Sequence, residues 1–166
     1  VPIPEIVEGV RECLRVTGPA ARIDFRHLRD NGWKIGHRSF EAKTDDKPES
    51  GNGDLLYVFG RGQTVLSTRI GPAAVRCRII ARLEDAGQIK TVRNALVEGK
   101  VALPFEQAPG HELFKSMMRQ RVRNGDFTNV LLTDTHALSL FNSSRTDYPA
   151  VSIDVWAMPP VKAKAS

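Results

Sequence analysis

The sequence predicts an α+β fold: a mostly antiparallel sheet with three or so helices packed on one side. Three features carry that expectation. Strand-like runs follow one another from Leu55 to Leu83 with only short turns between them, which is how antiparallel meanders are joined. Helical spacing of apolar residues appears in separate blocks. Strands and helices do not alternate strictly, so a doubly wound parallel sheet is not expected. The 166 residues suit one domain over 1–158, followed by a flexible tail over 159–166. The chain opens Val1-Pro2-Ile3-Pro4 without Met, as expected of a processed product or a part of something longer.

The first helix is expected from Pro4 to Val16. Ile6, Val7, Val10 and Leu14 recur at helical spacing, and Thr17-Gly18-Pro19 stops the helix. Residues 21–43 are ambiguous. Ile23, Phe25 and Leu28 fit a short strand or a turn of helix, Asn31-Gly32 marks a turn, and Trp33 to Ala42 reads as a strand. Lys43 to Asp54, rich in turn formers, reads as an exposed loop. A hairpin follows, turning at Gly60-Arg61-Gly62, and Val75 to Leu83 adds a third strand after Gly71-Pro72.

Ile89 to Glu98 is a helix stopped by Gly99, and Val101 to Phe105 a short strand. Glu112 to Arg123 is a helix with Leu113, Phe114, Met117 and Met118 on its buried side. Val130 to Thr133 and Leu138 to Phe141 form a strand pair. Val151, Ile153 and Val155 share one face of the last strand, and Ser152, Asp154 and Trp156 the other.

No apolar run approaches the roughly 18 residues that cross a bilayer, so no membrane partner is expected. Cys13 and Cys77 both lie amid apolar neighbours. They read as two buried thiols in a reducing compartment, with a disulfide as the alternative. That reading implies a cytoplasmic or nuclear location.

The charge points to an anionic partner. The net charge is +5, and the 29 residues between Asp54 and Glu84 contain no Asp or Glu. The same span holds Arg61, Arg69, Arg76, Arg78 and Arg82. On the third strand, Arg76, Arg78 and Arg82 alternate with Val75, Cys77, Ile79 and Ala81, interrupted by Ile80. Arginines two apart on a strand stand about 7 Å apart, close to the phosphate spacing along one nucleic-acid strand. Lys115, Arg119 and Arg123 follow at i, i+4, i+8 and line one side of the Glu112–Arg123 helix. Solvated charge and a favourable helix dipole explain that stripe equally well. Tyr57 and Phe59 alternate as base-stacking platforms do, but Leu56 and Val58 make the opposite face apolar too, so both aromatics are assigned to the core.

One catalytic arrangement is present in outline. Ser39-Phe40-Glu41-Ala42-Lys43 puts a Glu and a Lys on one strand face, and Asp24 precedes them. The trio Asp24, Glu41 and Lys43 resembles the metal-binding set of restriction-type nucleases, and residues 128–141 resemble the strand-turn-strand after the Gln-bearing helix of that fold. The resemblance implies a magnesium-dependent nuclease, with Glu5, Glu8 or Glu12 completing the shell. The pattern departs from the family, because about seventy residues separate the Glu-x-Lys strand from that helix. No zinc spacing, nucleophile elbow, phosphate loop or dinucleotide fingerprint occurs, so no cofactor is expected apart from magnesium under the nuclease alternative.

The expected function is therefore nucleic-acid binding, DNA or RNA, through Arg61, Arg69, Arg76, Arg78, Arg82, Lys115, Arg119 and Arg123. The first alternative is a protein-interaction or assembly module of a viral or mobile-element complex, with a protein partner or a second copy of the chain. The second is the nuclease.

Overall fold

The computed structural model describes residues 3–17, 23–42, 53–70, 75–123, 129–142 and 148–158. Its elements are α1 (Ile3–Val16), α2 (Phe25–Asp30), β1 (Lys34–Ala42), β2 (Gly53–Arg61), β3 (Thr64–Ile70) and β4 (Val75–Arg82). Then come α3 (Gln88–Glu98), β5 (Leu103–Pro104), α4 (Glu112–Arg123), β6 (Asn129–Leu132), β7 (His136–Asn142) and β8 (Ala150–Ala157). The strands form one sheet in the order β1-β2-β3-β4-β8-β7-β6-β5, antiparallel at every pairing. The expected α+β class holds, with four helices among the described residues.

Register decides what each face carries. One row runs Tyr57, Thr68, Cys77, Val155, Leu138 from β2 to β7. The parallel row Phe59, Leu66, Ile79, Ile153, Leu140 lies on the same face. All ten side chains are buried. The row between them, Val58, Ser67, Arg78, Asp154, Ser139, points the other way because strand side chains alternate. We call these the inner and outer faces.

Three helices cover the inner face. α1 buries Ile6, Val10, Cys13 and Val16 along one stripe against β3, β4 and β8. It lies very close to the sheet: a Cβ on Gly9 would stand 2.8 Å from Ile79 Cδ1 and 3.3 Å from the Trp33 ring. α3 contributes Ile89, Val92 and Leu96. α2 resolves the ambiguity of residues 21–43. Asp24 accepts a hydrogen bond from the His27 backbone N–H at 3.0 Å and starts a six-residue helix. Gly32, at φ +87°, then turns the chain so that the Trp33 N–H bonds the Leu28 carbonyl.

α4 lies on the outer face. Phe114 packs with Val130, Leu132, Ala137 and Met158 in a second, smaller core over β6 and β7. Its orientation corrects the expected one. Leu113 and Met117 are 79% and 54% exposed, while Lys115 is buried. The side chains of Met118 and Arg123 lie outside the described residues, as do the expected loops over 43–52 and 143–147, the breaks at 18–22, 71–74 and 124–128, and the tail over 159–166.

The thiol expectation is overturned. Cys13 and Cys77 form a disulfide, with Cα atoms 5.4 Å apart. Both belong to surfaces that face each other, so docking α1 on β4 brings the sulfurs together. Closing a loop with a sequence separation of 64 is worth about 4 kcal/mol in the chain-entropy account. Reduction, or Cys77→Ser, is predicted to lower the unfolding free energy by about that amount. Denaturant titration with and without reductant checks it, and unchanged midpoints would show that the bond does not staple the fold.

A second prediction concerns acid. His136 is buried on the inner face, with Nδ1 2.7 Å from the Thr135 hydroxyl. Burial holds its imidazole below the ordinary 6.5, and the Thr17 backbone opposes that effect. The unfolded chain then takes a proton that the folded one resists. Stability is unaffected above pH 6.5 and falls as pH drops below it, by at most about 1.4 kcal/mol per pH unit. Asp24 and Glu106 also titrate low, but they lose their contributions only below their ordinary 3.8 and 4.5. Unfolding midpoints between pH 8 and pH 5 should therefore decline in the wild type and stay level in His136→Gln.

Candidate functional site

Among the described residues, the three helices on the inner face and α4 over β6 and β7 leave the outer face of β2, β3 and β4 without a covering element. Arginines project there. Leu56, Arg69 and Arg76 form one row, and Arg78 belongs to the next but one along β4. Arg82, opposite Ala150, has the same parity. Half-buried Leu56, Val58 and Ile80 and the exposed Val65 lie among them. The face is a mixed surface of guanidinium groups on an apolar bed.

The four arginines differ in what holds them. Arg76 is exposed and makes no ion pair among the described residues. Arg69 stands directly opposite it and is itself engaged within the protein. Arg82 is exposed, with its guanidinium 4.7 Å over the Tyr148 ring, which orients it without neutralising it. Arg78 makes a two-pronged pair with Asp154, directly across the β4–β8 ladder, at 2.5 and 3.1 Å. That hydrogen-bonded carboxylate raises the Arg78 guanidinium above its ordinary value, against the opposing effect of burial. Arg78 also lies 5.8 Å from the centre of the Phe141 ring.

Arg61 does not join them, which corrects the expectation that it extends the row. It has inner-face parity, in register with Thr64 and, through it, Ala81. Its guanidinium pairs with Glu8 of α1. The turn glycine beside it, Gly62, has φ +57° and faces the Glu5 carboxylate, where a Cβ would stand 2.7 Å from an oxygen. The Gly60-Arg61-Gly62 hairpin is thus tied to the start of α1.

α4 presents less charge than its spacing promised. Lys115 turns inward, and its Nζ donates to the Ala108 carbonyl. Arg119 holds both oxygens of Glu106, with two contacts at 3.0 Å, and that bond keeps the Glu106 carboxyl below the usual range. Arg123 ends the helix, and its side chain lies outside the described residues.

The nuclease trio is not assembled among the described residues. The Asp24 carboxylate is committed to capping α2 and sits 3.8 Å from Arg15. Glu41 lies on β1 with its side chain undescribed, and Lys43 falls outside the described residues. Glu8 pairs with Arg61, and Glu12 contacts Arg15 and His27 at 2.8 and 2.7 Å. No group of three or more His, Cys, Asp or Glu suited to a metal occurs among the described residues. No described helix is long and apolar enough to cross a membrane.

Sequence reasoning missed one cationic group. Arg26 and Arg29 of α2 and Lys34 of β1 gather around a single groove. They fall in the stretch whose secondary structure was ambiguous, so their common location had no signal. Read alone, Arg26 and Arg29 are scattered charges.

No protein-family model matches the chain, and neither does any curated protein or solved structure.

The two kinds of arginine should separate by stability. Arg61→Ala strands the Glu8 carboxylate and is predicted to cost about 1 kcal/mol. Arg76→Ala should change stability by less than about 0.5 kcal/mol. Equal losses in urea unfolding would contradict the division between structural and available arginines.

Proposed function

We propose that this chain binds the phosphate backbone of a nucleic acid through the uncovered outer face of β2, β3 and β4. The observation that carries the reading is the shared parity of Arg69, Arg76, Arg78 and Arg82 on the half of that face that no described helix covers. Phosphate contacts need several cations on one surface at roughly the backbone repeat, and strand pleating supplies that spacing. Arg76 and Arg82 are the primary contacts, Arg69 lies beside them, and Arg78 is held in reserve by Asp154.

A second reading has its own observation. Leu113 and Met117 are one turn apart on α4 and both face solvent. Exposed apolar pairs of this kind suit a protein partner or a second copy of the chain, as an assembly module requires. Leu113→Glu leaves the arginine face intact, so a change in mass by light scattering would speak for this reading alone. The disulfide removes the premise from which an intracellular location was expected, since such bonds persist in oxidising compartments.

Salt titration of oligonucleotide binding tests the nucleic-acid reading. Each lost phosphate contact should flatten the slope of log K against log salt by about 0.9 for a duplex and about 0.7 for a single strand. Arg76→Ala and Arg82→Ala are each predicted to do so, while Arg61→Ala leaves the slope unchanged. Asp154→Asn should free Arg78 and strengthen binding. A slope near zero, or loss of binding only in Arg61→Ala, would contradict the assignment.

A further inference from the structure

The groove between α2 and the start of β1 combines two kinds of side chain. Its floor is apolar: Phe25, Trp33, Ile35 and Phe59 line it. Its rim is cationic, from Arg26, Arg29 and Lys34. None of those three cations makes an ion pair among the described residues, and all three are exposed. The helix's own carboxylates, Asp24 and Asp30, do not line the groove.

Two of the apolar residues are unusually open. Phe25 is 42% exposed and Ile35 55%. Phe25 is nonetheless held in place, edge-on to Tyr57 with ring centres 5.1 Å apart and 5.9 Å from Phe59. A fixed, accessible aromatic ring loses little freedom when another flat ring stacks on it. Trp33 also lines the groove and is itself buried, 2% exposed. The groove volume, about 530 Å³, lies in the range of small-ligand sites.

An occupant must therefore pair a flat apolar body with negative charge. We infer that this groove receives one unstacked nucleotide of a single-stranded nucleic acid, its base against Phe25 and Ile35 and its phosphate at Arg26, Arg29 and Lys34. The inference rests on the nucleic-acid reading and sharpens it to single strands, because a paired base enters only at the cost of unpairing and unstacking. The two surfaces meet at the edge of the sheet. Lys34 pairs with Gly60, whose next partner is Val65 on the outer face. A strand crossing the outer face can turn round β1 and end in the groove. Edge strands also carry cations and bulges simply to prevent pairing with other chains, and β1 has a register shift at Ile35/His37. That role accounts for Lys34, but not for the open aromatic floor or the cations of α2.

The test uses a ten-nucleotide oligothymidylate, the matching duplex and polyglutamate, with Trp33 as reporter. Trp156→Phe leaves Trp33 as the chain's one tryptophan. The single strand should quench Trp33 fluorescence and bind tighter than the duplex. Phe25→Ala should weaken single-strand binding roughly tenfold, as loss of one stacked base does, and abolish the quench. Arg29→Glu should weaken it further. Circular dichroism and unfolding midpoints establish that each variant is folded, and Phe25→Tyr, which keeps the ring, should restore binding.

If Phe25→Ala binds as wild type while Arg76→Ala is impaired, the groove is wrong and the outer face stands. If Phe25→Ala is impaired and Arg76→Ala is not, the groove stands and the outer face is wrong. Polyglutamate competing as well as the oligonucleotide, whatever residue 25 is, would reduce the groove to a plain cationic patch and overturn the inference.

Discussion

The docking of α1 onto β4, fixed by the Cys13–Cys77 bond, sets the direction of every side chain on that strand. Strand side chains alternate with a period of two, so a register slip of one residue would exchange the faces. Cys77 is bonded to a helix on the inner face, and Ile79 and Ala81 must follow it inward. Arg76, Arg78 and Arg82 then have nowhere to go but outward. The contact is tight as well as covalent: Gly9 lies so near Ile79 and Trp33 that a larger residue would push the helix off the sheet or displace its neighbours. A cationic outer face is thus a consequence of how the apolar inner face closes.

Facing outward is necessary for binding and does not suffice. Carboxylates within the chain compete for each guanidinium. Arg61, Arg78 and Arg119 are taken by Glu8, Asp154 and Glu106, and Lys115 is spent on a backbone carbonyl. Half-exposed pairs of this sort are worth at most about 1 kcal/mol, so a phosphate can displace Asp154 from Arg78 more readily than it can extract buried Lys115. What distinguishes Arg76 and the α2–β1 cations is that none of them forms an ion pair among the described residues. The formal charge of +5 overstates the charge available to a ligand over the described surface, and its distribution matters more than its sum.

Most elements were legible because each has a periodic signal of its own. The α1 stripe, the β2–β3–β4 meander, the inward run Val151, Ile153, Val155, and α4's boundaries all follow from local spacing. The orientation of α4 was not legible. Leu113 and Met117 look like core, but the helix rests on the outer face through Phe114, over a cluster built from Val130, Leu132 and Ala137 that are distant in sequence. Arg61 was misplaced for a similar reason. Parity along β2 puts it with Tyr57 and Phe59, whereas its sequence neighbours in charge, Arg69 and Arg76, lie on other strands with their own parity. The disulfide stood only as the alternative to two free thiols because a separation of 64 residues carries no spacing rule. Asp24 suggested a metal ligand only while α2 was unresolved, since N-capping uses the same carboxylate.

Arginine-directed chemical modification tests the central claim most directly, because it reads each guanidinium in the intact protein. Phenylglyoxal labelling with and without a single-stranded oligonucleotide, followed by peptide mass analysis, ranks the arginines by protection. Arg76 and Arg82 should be labelled in the free protein and protected in the complex, while Arg61 should be labelled equally in both. Protection of Arg61 with Arg76 unchanged would contradict the account, for it would put the ligand on the face that α1 covers.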